Sequence, residues 1–419
     1  MKLFTHTFGC RVNQYETERL RERLTSGSDA ACVDDYETAD ICVVNTCTVT
    51  RAADKDALLL IRRIARRNPA AKLVVTGCLA SRAPEEILAA APHAVVAGNE
   101  AKDGLAEALG CSPVPAAAGL SAFGGRSRAY LKVQDGCDMG CSYCVVPLVR
   151  PTLRSRPVEE VLSELRGLLA GGFQEVVLCG IRLGRYLADD GGRRVDFVGL
   201  VERLLAVPGD FRLRLSSFEV TDLTDRFLRL AAGSGGRLCP SFHVPLQSGS
   251  DAVLKRMGRW YSAAFFERRL RALKDAVPGA GLFTDVMVGF PGETEDDFRL
   301  SLERVERLGF SGLHIFPFSP RPGTPAARLQ PVPAPTVKER MGRMRGLDAR
   351  LRGAFAARAL GTRRRVLIET GGLGAEGTAE DFLRVRLDQD PGPGLRWVTI
   401  SRVEGPAAWG RIDRQGPGP

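Results

Sequence analysis

Short apolar runs that recur between amphipathic helical segments constrain this chain more than any other feature. In the first 100 residues "LFTHTFG", "ICVVNT", "KLVVTG" and "AVVAG" alternate with "QYETERLRERL" and "DALLLIRRIARRN". Apolar runs separated by helices read as strands of a parallel sheet with helices on its faces. A second series begins further on: "AYLKVQ", "EVVLCG", "RLRLSS", "FHVPLQ", "FTDVMVG" and "LHIFPF", with helical segments such as "VEEVLSELRGLLAGG" between most of them. Six such units predict an open or partial (β/α)6 barrel. Residues 104–125, rich in Ala, Pro, Gly and Ser, suit a linker between the two series. The stretch "SPRPGTPAARLQPVPAPT" ends the second series, because its prolines exclude a helix interior. A basic helix follows at about 336–358, and "RRRVLIET", "FLRVRL", "RWVTISRV" and "AAWGRID" make residues 362–416 all-β. The expected class is α/β: an N-terminal parallel α/β domain (1–103), the linker (104–125), the partial barrel (126–357) and a small C-terminal β-barrel (360–416). No repeat of solenoid period is visible.

No run of about eighteen apolar residues occurs, so no transmembrane helix is expected. His6 and Arg11 interrupt the N-terminal apolar stretch, which argues against a signal peptide and for the cytoplasm. Eleven cysteines there point to metal binding or catalysis, not to a disulfide framework. The net charge of +10 is mostly arginine in an Ala-, Gly- and Pro-rich chain, so its distribution says more than its total. Residues 1–100 hold 13 basic and 13 acidic residues, whereas 331–419 hold 16 and 10. A locally basic terminal segment is the electrostatic footprint of a phosphate-backbone binder.

"QDGCDMGCSYC" places Cys137, Cys141 and Cys144 in a C-x3-C-x2-C array after the strand "AYLKVQ", at the end where α/β folds build active sites. Three thiolates on one loop can hold three irons of a [4Fe–4S] cube and leave the fourth iron open to a substrate. Gly136 and Gly140 would let the backbone wrap closely. A structural zinc site needs a fourth ligand, and no Cys or His lies within twenty-five residues on either side. Three early strands also end at cysteines: "FGC" (Cys10), "NTC" (Cys47) and "TGC" (Cys78). The carboxyl ends of neighbouring parallel strands share one edge, so the three thiols can meet. Each alone reads better as a small buried residue; the repeated pattern of three favours a second cluster. Cys32, Cys42, Cys111, Cys179 and Cys239 lack it, and Cys42 reads as core.

The C-x3-C-x2-C spacing resembles that of the radical S-adenosylmethionine (SAM) superfamily. The resemblance implies that SAM chelates the open iron and is cleaved to a 5′-deoxyadenosyl radical. Three strand-end cysteines, this triad and a small basic β domain together resemble the methylthiotransferases over nearly the whole chain. "GCRVNQYETE", "NTCTVT", "TGC", "HVPLQSGS", "DVMVGFPGET" and "SPRPGTPAAR" resemble the branch that acts on threonylcarbamoyladenosine in tRNA. They do not resemble the branches for isopentenyladenosine ("GCQMN") or a ribosomal-protein aspartate ("GCPKN"). The resemblance implies an enzyme making 2-methylthio-N6-threonylcarbamoyladenosine at adenosine 37, beside the anticodon. It implies two [4Fe–4S] clusters: one methylated on a sulfur, held by Cys10, Cys47 and Cys78, and one giving the radical that takes hydrogen from C2 of adenine. A low-potential electron donor, flavodoxin- or ferredoxin-like, is implied as well. The sequence departs from the family at "CVVPLVRPTLRSR" (Val145–Pro151) and "LCGIRLGRYL" (Cys179–Tyr186). An iron–sulfur RNA-binding or sensor protein without turnover is the alternative from another class; the open iron of a three-cysteine site favours an enzyme.

The candidate SAM contacts are Ser216, Ser217 and Glu219 of "LRLSSFEV", Gln247 and Ser248 of "HVPLQSGS", and Gly289 of "VGFPGETEDD". In the last motif, with Gly292, Thr294 reads as a helix N-cap with Asp297 three residues on. His243 and His314 read as core. "GLGAEG" (372–377) matches G-x-G-x-x-G, but a strand follows instead of a helix, so it reads as a loop between two strands. The basic tail resembles the RNA-binding TRAM domain, which makes Arg363, Arg364, Arg365, Arg384 and Arg386 candidate phosphate contacts.

Overall fold

A computed structural model describes residues 1–25, 30–110, 119–120, 123–370, 372 and 374–413. Five parallel strands form the N-terminal sheet in the order Ala31–Cys32, Lys2–Thr7, Ile41–Thr46, Lys72–Gly77, Val95–Ala97. Alternate side chains serve two layers: Phe4, Cys42, Val44 and Val75 face one set of helices, and Leu3, Ile41, Val43 and Val74 the other. Burial on both faces is why these strands read as continuous apolar runs. The strand order reverses between Lys2–Thr7 and Ile41–Thr46, and a crevice opens at such a switch point beyond the carboxyl ends. Cys10 and Cys47 follow those two strands, and Cys78 follows the next.

The centre holds six parallel strands in two sheets. Arg212–Leu215, Glu175–Gly180 and Ala129–Asp135 form one, edged by the antiparallel Arg154–Ser155; Ser241–His243, Gly281–Val288 and Gly312–Pro317 form the other. A bridge from Leu213 to Leu238 joins them, and one apolar core runs beneath both. Hydroxyls cap the intervening helices: Thr224, Ser250 and Ser262 each accept from a first-turn amide. Each such cap stabilises its helix by about 1 kcal/mol. Thr294 and Asp297 form the expected reciprocal capping box. A hairpin pairing Leu187–Asp190 with Arg193–Asp196 was not expected. Gly191 (φ 62°) and Gly192 (φ 84°) form its turn, the glycine pair a two-residue hairpin demands.

The helix Arg11–Thr25 buries Val12 and Tyr15 in the central core, so the first sheet and the barrel share apolar packing. Tyr15 donates to Glu164 at 3.1 Å. Part of the linker expected at 104–125, with Cys111, lies outside the described residues; Leu120 and Phe123 are not solvated but belong to the central core.

The helix Ala334–Ala357 leads to a closed barrel in the order Arg363–Thr370, Glu376–Ala379, Arg384–Leu387, Ala407–Ile412, Gly394–Glu404. The strand Glu376–Ala379 corrects the reading of "GLGAEG" as loop. A Cβ on Gly377 would stand 2.5 Å from the Leu367 carbonyl oxygen, so glycine is there to let two strands approach. Buried arginines fasten this barrel to the centre. Arg212 donates to Glu175 (2.7 Å) and to the carbonyls of Thr378 (2.9 Å) and Arg365; Arg214 donates to Glu175 (2.9 Å) and to the carbonyls of Ala379 (3.0 Å) and Glu380 (3.1 Å). Among the described residues no helix is long and apolar enough to cross a membrane.

Candidate cluster sites and the cleft between them

The loop carrying Cys137, Cys141 and Cys144 is pinned from both sides. Cys137 N donates to the Arg150 carbonyl (3.1 Å), Ser142 N to that of Met257 (2.9 Å), and Ser142 Oγ to that of Arg256 (2.7 Å). Gly136 turns the chain into the loop at φ 78°, and a Cβ there would meet the Thr152 carbonyl oxygen at 2.0 Å. Gly140, expected to matter in the same way, has open space around its Cβ position, so no protein atom requires it. Burial raises all three thiols, Cys144 to about 12. At Cys141 the guanidinium of Arg259, donating to Sγ at 3.4 Å, works against burial.

Cys10, Cys47 and Cys78 gather at the sheet's switch point, near enough for their charges to interact. Gly9 (φ 95°) lies against Cys47: a Cβ would stand 2.6 Å from that residue's Cβ and 2.7 Å from its Sγ. Burial raises Cys47 to about 12 and also raises Cys10, which is solvent-accessible within a concave surface. Asn99 reaches Cys78 Sγ at 3.6 Å. Among the described residues no three His, Cys or carboxylate groups close on a point that one ion would fill.

The two cysteine sets adjoin. Cys78 forms a small apolar cluster with Val145 and Val149, from the segment that leaves Cys144. Arg150, which ends that segment, donates to Asn13 (2.9 Å), Glu16 (2.8 Å) and Asp135 (2.8 Å). Glu16 also takes Lys102 and Lys132 at 2.5 and 2.6 Å. Burial alone would raise Glu16, but Lys102, Lys132 and Arg150 hold it well below the usual carboxylate range. The departure at Val145–Pro151 is thus the seam between the two cysteine sites.

Beside Cys141, buried polar atoms lack partners: Ser216 Oγ, Gln247 Oε1, Arg259 Nε and Arg182 Nε. Gln247 also holds a strained φ of 66°. Orphaned donors and acceptors in one buried region fit a polar ligand such as SAM. Glu219 pairs with Arg259, and burial raises it. Ser217 is exposed at the same strand end. Ser248 and Gly289, expected at the same site, have protein neighbours close by. Ser248 bonds Ser301 (3.3 Å), and a Cβ on Gly289 would meet Val337 at 2.6 Å, so its freedom serves the C-terminal helix.

Arg259, Arg182, Arg150 and Glu16 escaped the sequence reading, since a single charged residue carries no local signal. His243 and His314 are not core either. Both reach Asp285, at 2.8 and 3.3 Å, and His314 is largely exposed. Arg321 of "SPRPGTPAAR" donates to Thr48 (2.9 Å) and pairs with Asp54, bracing the turn after Cys47. The five C-terminal arginines are all partnered: Arg363 with Asp413, Arg364 with Asp381, Arg365 with Asp210, Arg384 with Glu369 and Glu376, and Arg386 with Glu376.

Residues 2–98 match the uncharacterized protein family UPF0004, and residues 131–305 match the radical SAM superfamily. The threonylcarbamoyladenosine tRNA methylthiotransferase MtaB of Thermotoga maritima is 38% identical over 377 residues, 87% of this chain and 85% of that protein. That of Bacillus subtilis is 39% identical over 370 residues, 84% and 81% of the two chains. A tRNA-2-methylthio-N(6)-dimethylallyladenosine synthase from Novosphingobium aromaticivorans is 35% identical over 383 residues, 87% and 86%. Among solved structures, the radical SAM methyltransferase TsrM of Kitasatospora setae superposes with TM-score 0.57 at 17% identity, covering 78% of this chain and 75% of that one. That likeness speaks to fold alone.

Proposed function

The chain belongs to the threonylcarbamoyladenosine tRNA methylthiotransferase family, and we propose that it inserts a methylthio group at C2 of N6-threonylcarbamoyladenosine beside the tRNA anticodon. It is a radical SAM enzyme whose cofactors are [4Fe–4S] clusters and SAM. The observation that carries the reading is the seam: Cys78 packs on Val145 and Val149, so the two cysteine sets adjoin. In our reading Cys137, Cys141 and Cys144 hold the SAM-binding cluster, and Cys10, Cys47 and Cys78 the auxiliary one. Ser216, Ser217, Glu219 and Gln247 contact SAM. When bound, these groups supply one-electron reduction, hydrogen abstraction and a transferable sulfur.

The chain's own residues position and seclude that chemistry. Arg259 orients Glu219 and donates to Cys141, and its guanidinium stacks on Trp260 (4.9 Å) and Tyr261 (5.0 Å), which fixes it in place. Arg150 and Glu16 hold the two sites in register across the cleft. Burial of Cys137 and Cys141 at one site, and of Cys47 and Cys78 at the other, limits the access of water. Residues 1–103 carry the auxiliary site, 126–357 the SAM site, and 360–416 a β-barrel whose Arg384 and Arg386, the most exposed of its five candidates, meet RNA. A flavodoxin- or ferredoxin-like protein supplies electrons.

Nucleoside mass spectrometry of tRNA from a deletion strain, with and without the plasmid-borne gene, tests the substrate. Loss of the methylthio group from threonylcarbamoyladenosine, restored by the gene, is the expected result; loss from isopentenyladenosine instead refutes the assignment.

A further inference from the structure

The helix Arg51–Arg67 begins four residues after Cys47, and its basic side chains are unlike those of the C-terminal barrel. Arg51, Lys55 and Arg62 are exposed, and among the described residues none makes an ion pair, although arginines elsewhere are mostly paired with carboxylates. At 100° per residue the three lie on one stripe of the helix, about 17 Å long at 1.5 Å per residue. The acids nearest the stripe are committed: Asp54 is buried and takes Thr48, Arg82 and Arg321, and Glu86 pairs with Arg82. The neutral balance of residues 1–100, 13 basic against 13 acidic, therefore hides a face with uncompensated positive charge.

The stripe borders a surface pocket of about 310 Å³ lined by five cations, Arg51, Lys55, Arg62, Arg82 and Arg321, and by the two paired acids Asp54 and Glu86. Arg321 is 2% exposed and its Nε has no hydrogen-bond partner, so the pocket floor holds an unsatisfied buried donor on a cation. Its Nη2 donates to Thr48, the residue after Cys47. Unpaired cations on one line, a basic pocket and an orphaned guanidinium donor call for a run of anionic oxygens at fixed spacing. We propose that this face docks the phosphate backbone of the tRNA and so anchors the substrate on the N-terminal domain, next to the auxiliary cysteines. The proposal rests on tRNA being the substrate.

The test is tRNA binding by the full-length reconstituted protein, measured over a salt series. Arg51→Glu/Lys55→Glu/Arg62→Glu is compared with wild type and with Arg299→Glu/Arg307→Glu/Arg350→Glu, exposed arginines elsewhere that match it in charge. Three lost phosphate contacts, at roughly 0.7–0.9 each, flatten the slope of log K against log salt by about 2–3 and weaken binding about 50- to 150-fold at physiological salt. Iron content and thermal unfolding unchanged from wild type show that the variant is folded. An unchanged slope overturns the proposal, as does an equal loss in the charge-matched control. If the wild type itself shows no salt-dependent tRNA binding, the tRNA reading falls together with the docking face.

Discussion

Gly9→Ala isolates the auxiliary site from everything else the chain does. The new methyl group meets Cys47 Cβ at 2.6 Å and Sγ at 2.7 Å, and the backbone stays at φ 95°. Left-handed backbone costs a non-glycine residue about 1–2 kcal/mol. Overpacking against a buried side chain adds about 1–3 kcal/mol. The sum, about 2–5 kcal/mol, disfavours the arrangement of Cys47 roughly 30- to 3,000-fold at 1.4 kcal/mol per tenfold. Gly110 provides the control, since it has the same φ of 95° and nothing within 4 Å of its Cβ position. Gly110→Ala bears only the backbone cost. After anaerobic reconstitution, Gly9→Ala should hold about four irons per chain instead of about eight, still cleave SAM and transfer no methylthio group, while Gly110→Ala keeps both. A full complement of iron with intact transfer in Gly9→Ala would refute the placement of Cys47 in a ligand set.

Three further outcomes follow from buried charge. Glu175→Gln leaves Arg212 and Arg214 without their counter-charge and should cost about 3–5 kcal/mol, seen as faster amide hydrogen exchange in residues 363–412; unchanged protection there rules the fastening out. Burial would raise Glu175, but Arg214 and Arg212 outweigh it and hold it well below the ordinary range. Its folded value being depressed, the contribution is complete above about pH 4.3, the unfolded value, and is lost as the pH falls below it; acid titration of the same exchange should show that sign in wild type and not in Glu175→Gln. Arg259→Gln should strip Cys141 of its donor and leave Glu219 buried and unpaired, so iron falls to about four per chain and SAM cleavage is lost; retention of SAM cleavage at the wild-type rate removes Arg259 from the positioning role.

The cysteine frame was legible because it is carried by local signals. A thiol at the end of an apolar run, or three within eight positions of one loop, announces itself within a few residues. What ties the frame together is not local. Arg150 meets Glu16 across 134 positions, Arg259 meets Cys141 across 118, and Arg212 meets Thr378 across 166. Each is one of 59 basic residues, and nothing in its neighbours marks it out. Small residues misled in the other direction. Gly377 looks like loop and is strand, and Ser248 and Gly289, singled out as ligand contacts because both follow strands, also stand against neighbouring helices. A glycine records that something is close without saying whether it is ligand, helix or neighbouring strand. Net charge is a coarse guide for the same reason: all five arginines singled out in the basic tail are ion-paired, while Arg51, Lys55 and Arg62, with no ion pair among the described residues, lie in a domain of zero net charge.

The fastening of the C-terminal barrel through Arg212 and Arg214 has a metric consequence. A domain on a loose tether samples many distances from the cleft and can accommodate RNAs of many shapes. One held by buried guanidinium groups to backbone carbonyls has a single distance. The separation between barrel and cleft then acts as a ruler, and an RNA satisfies both ends only if its stem and loop span that length. On the proposed reading, in which the barrel meets RNA, substrates are then selected by dimension as well as by base, through two arginines buried in the fastening.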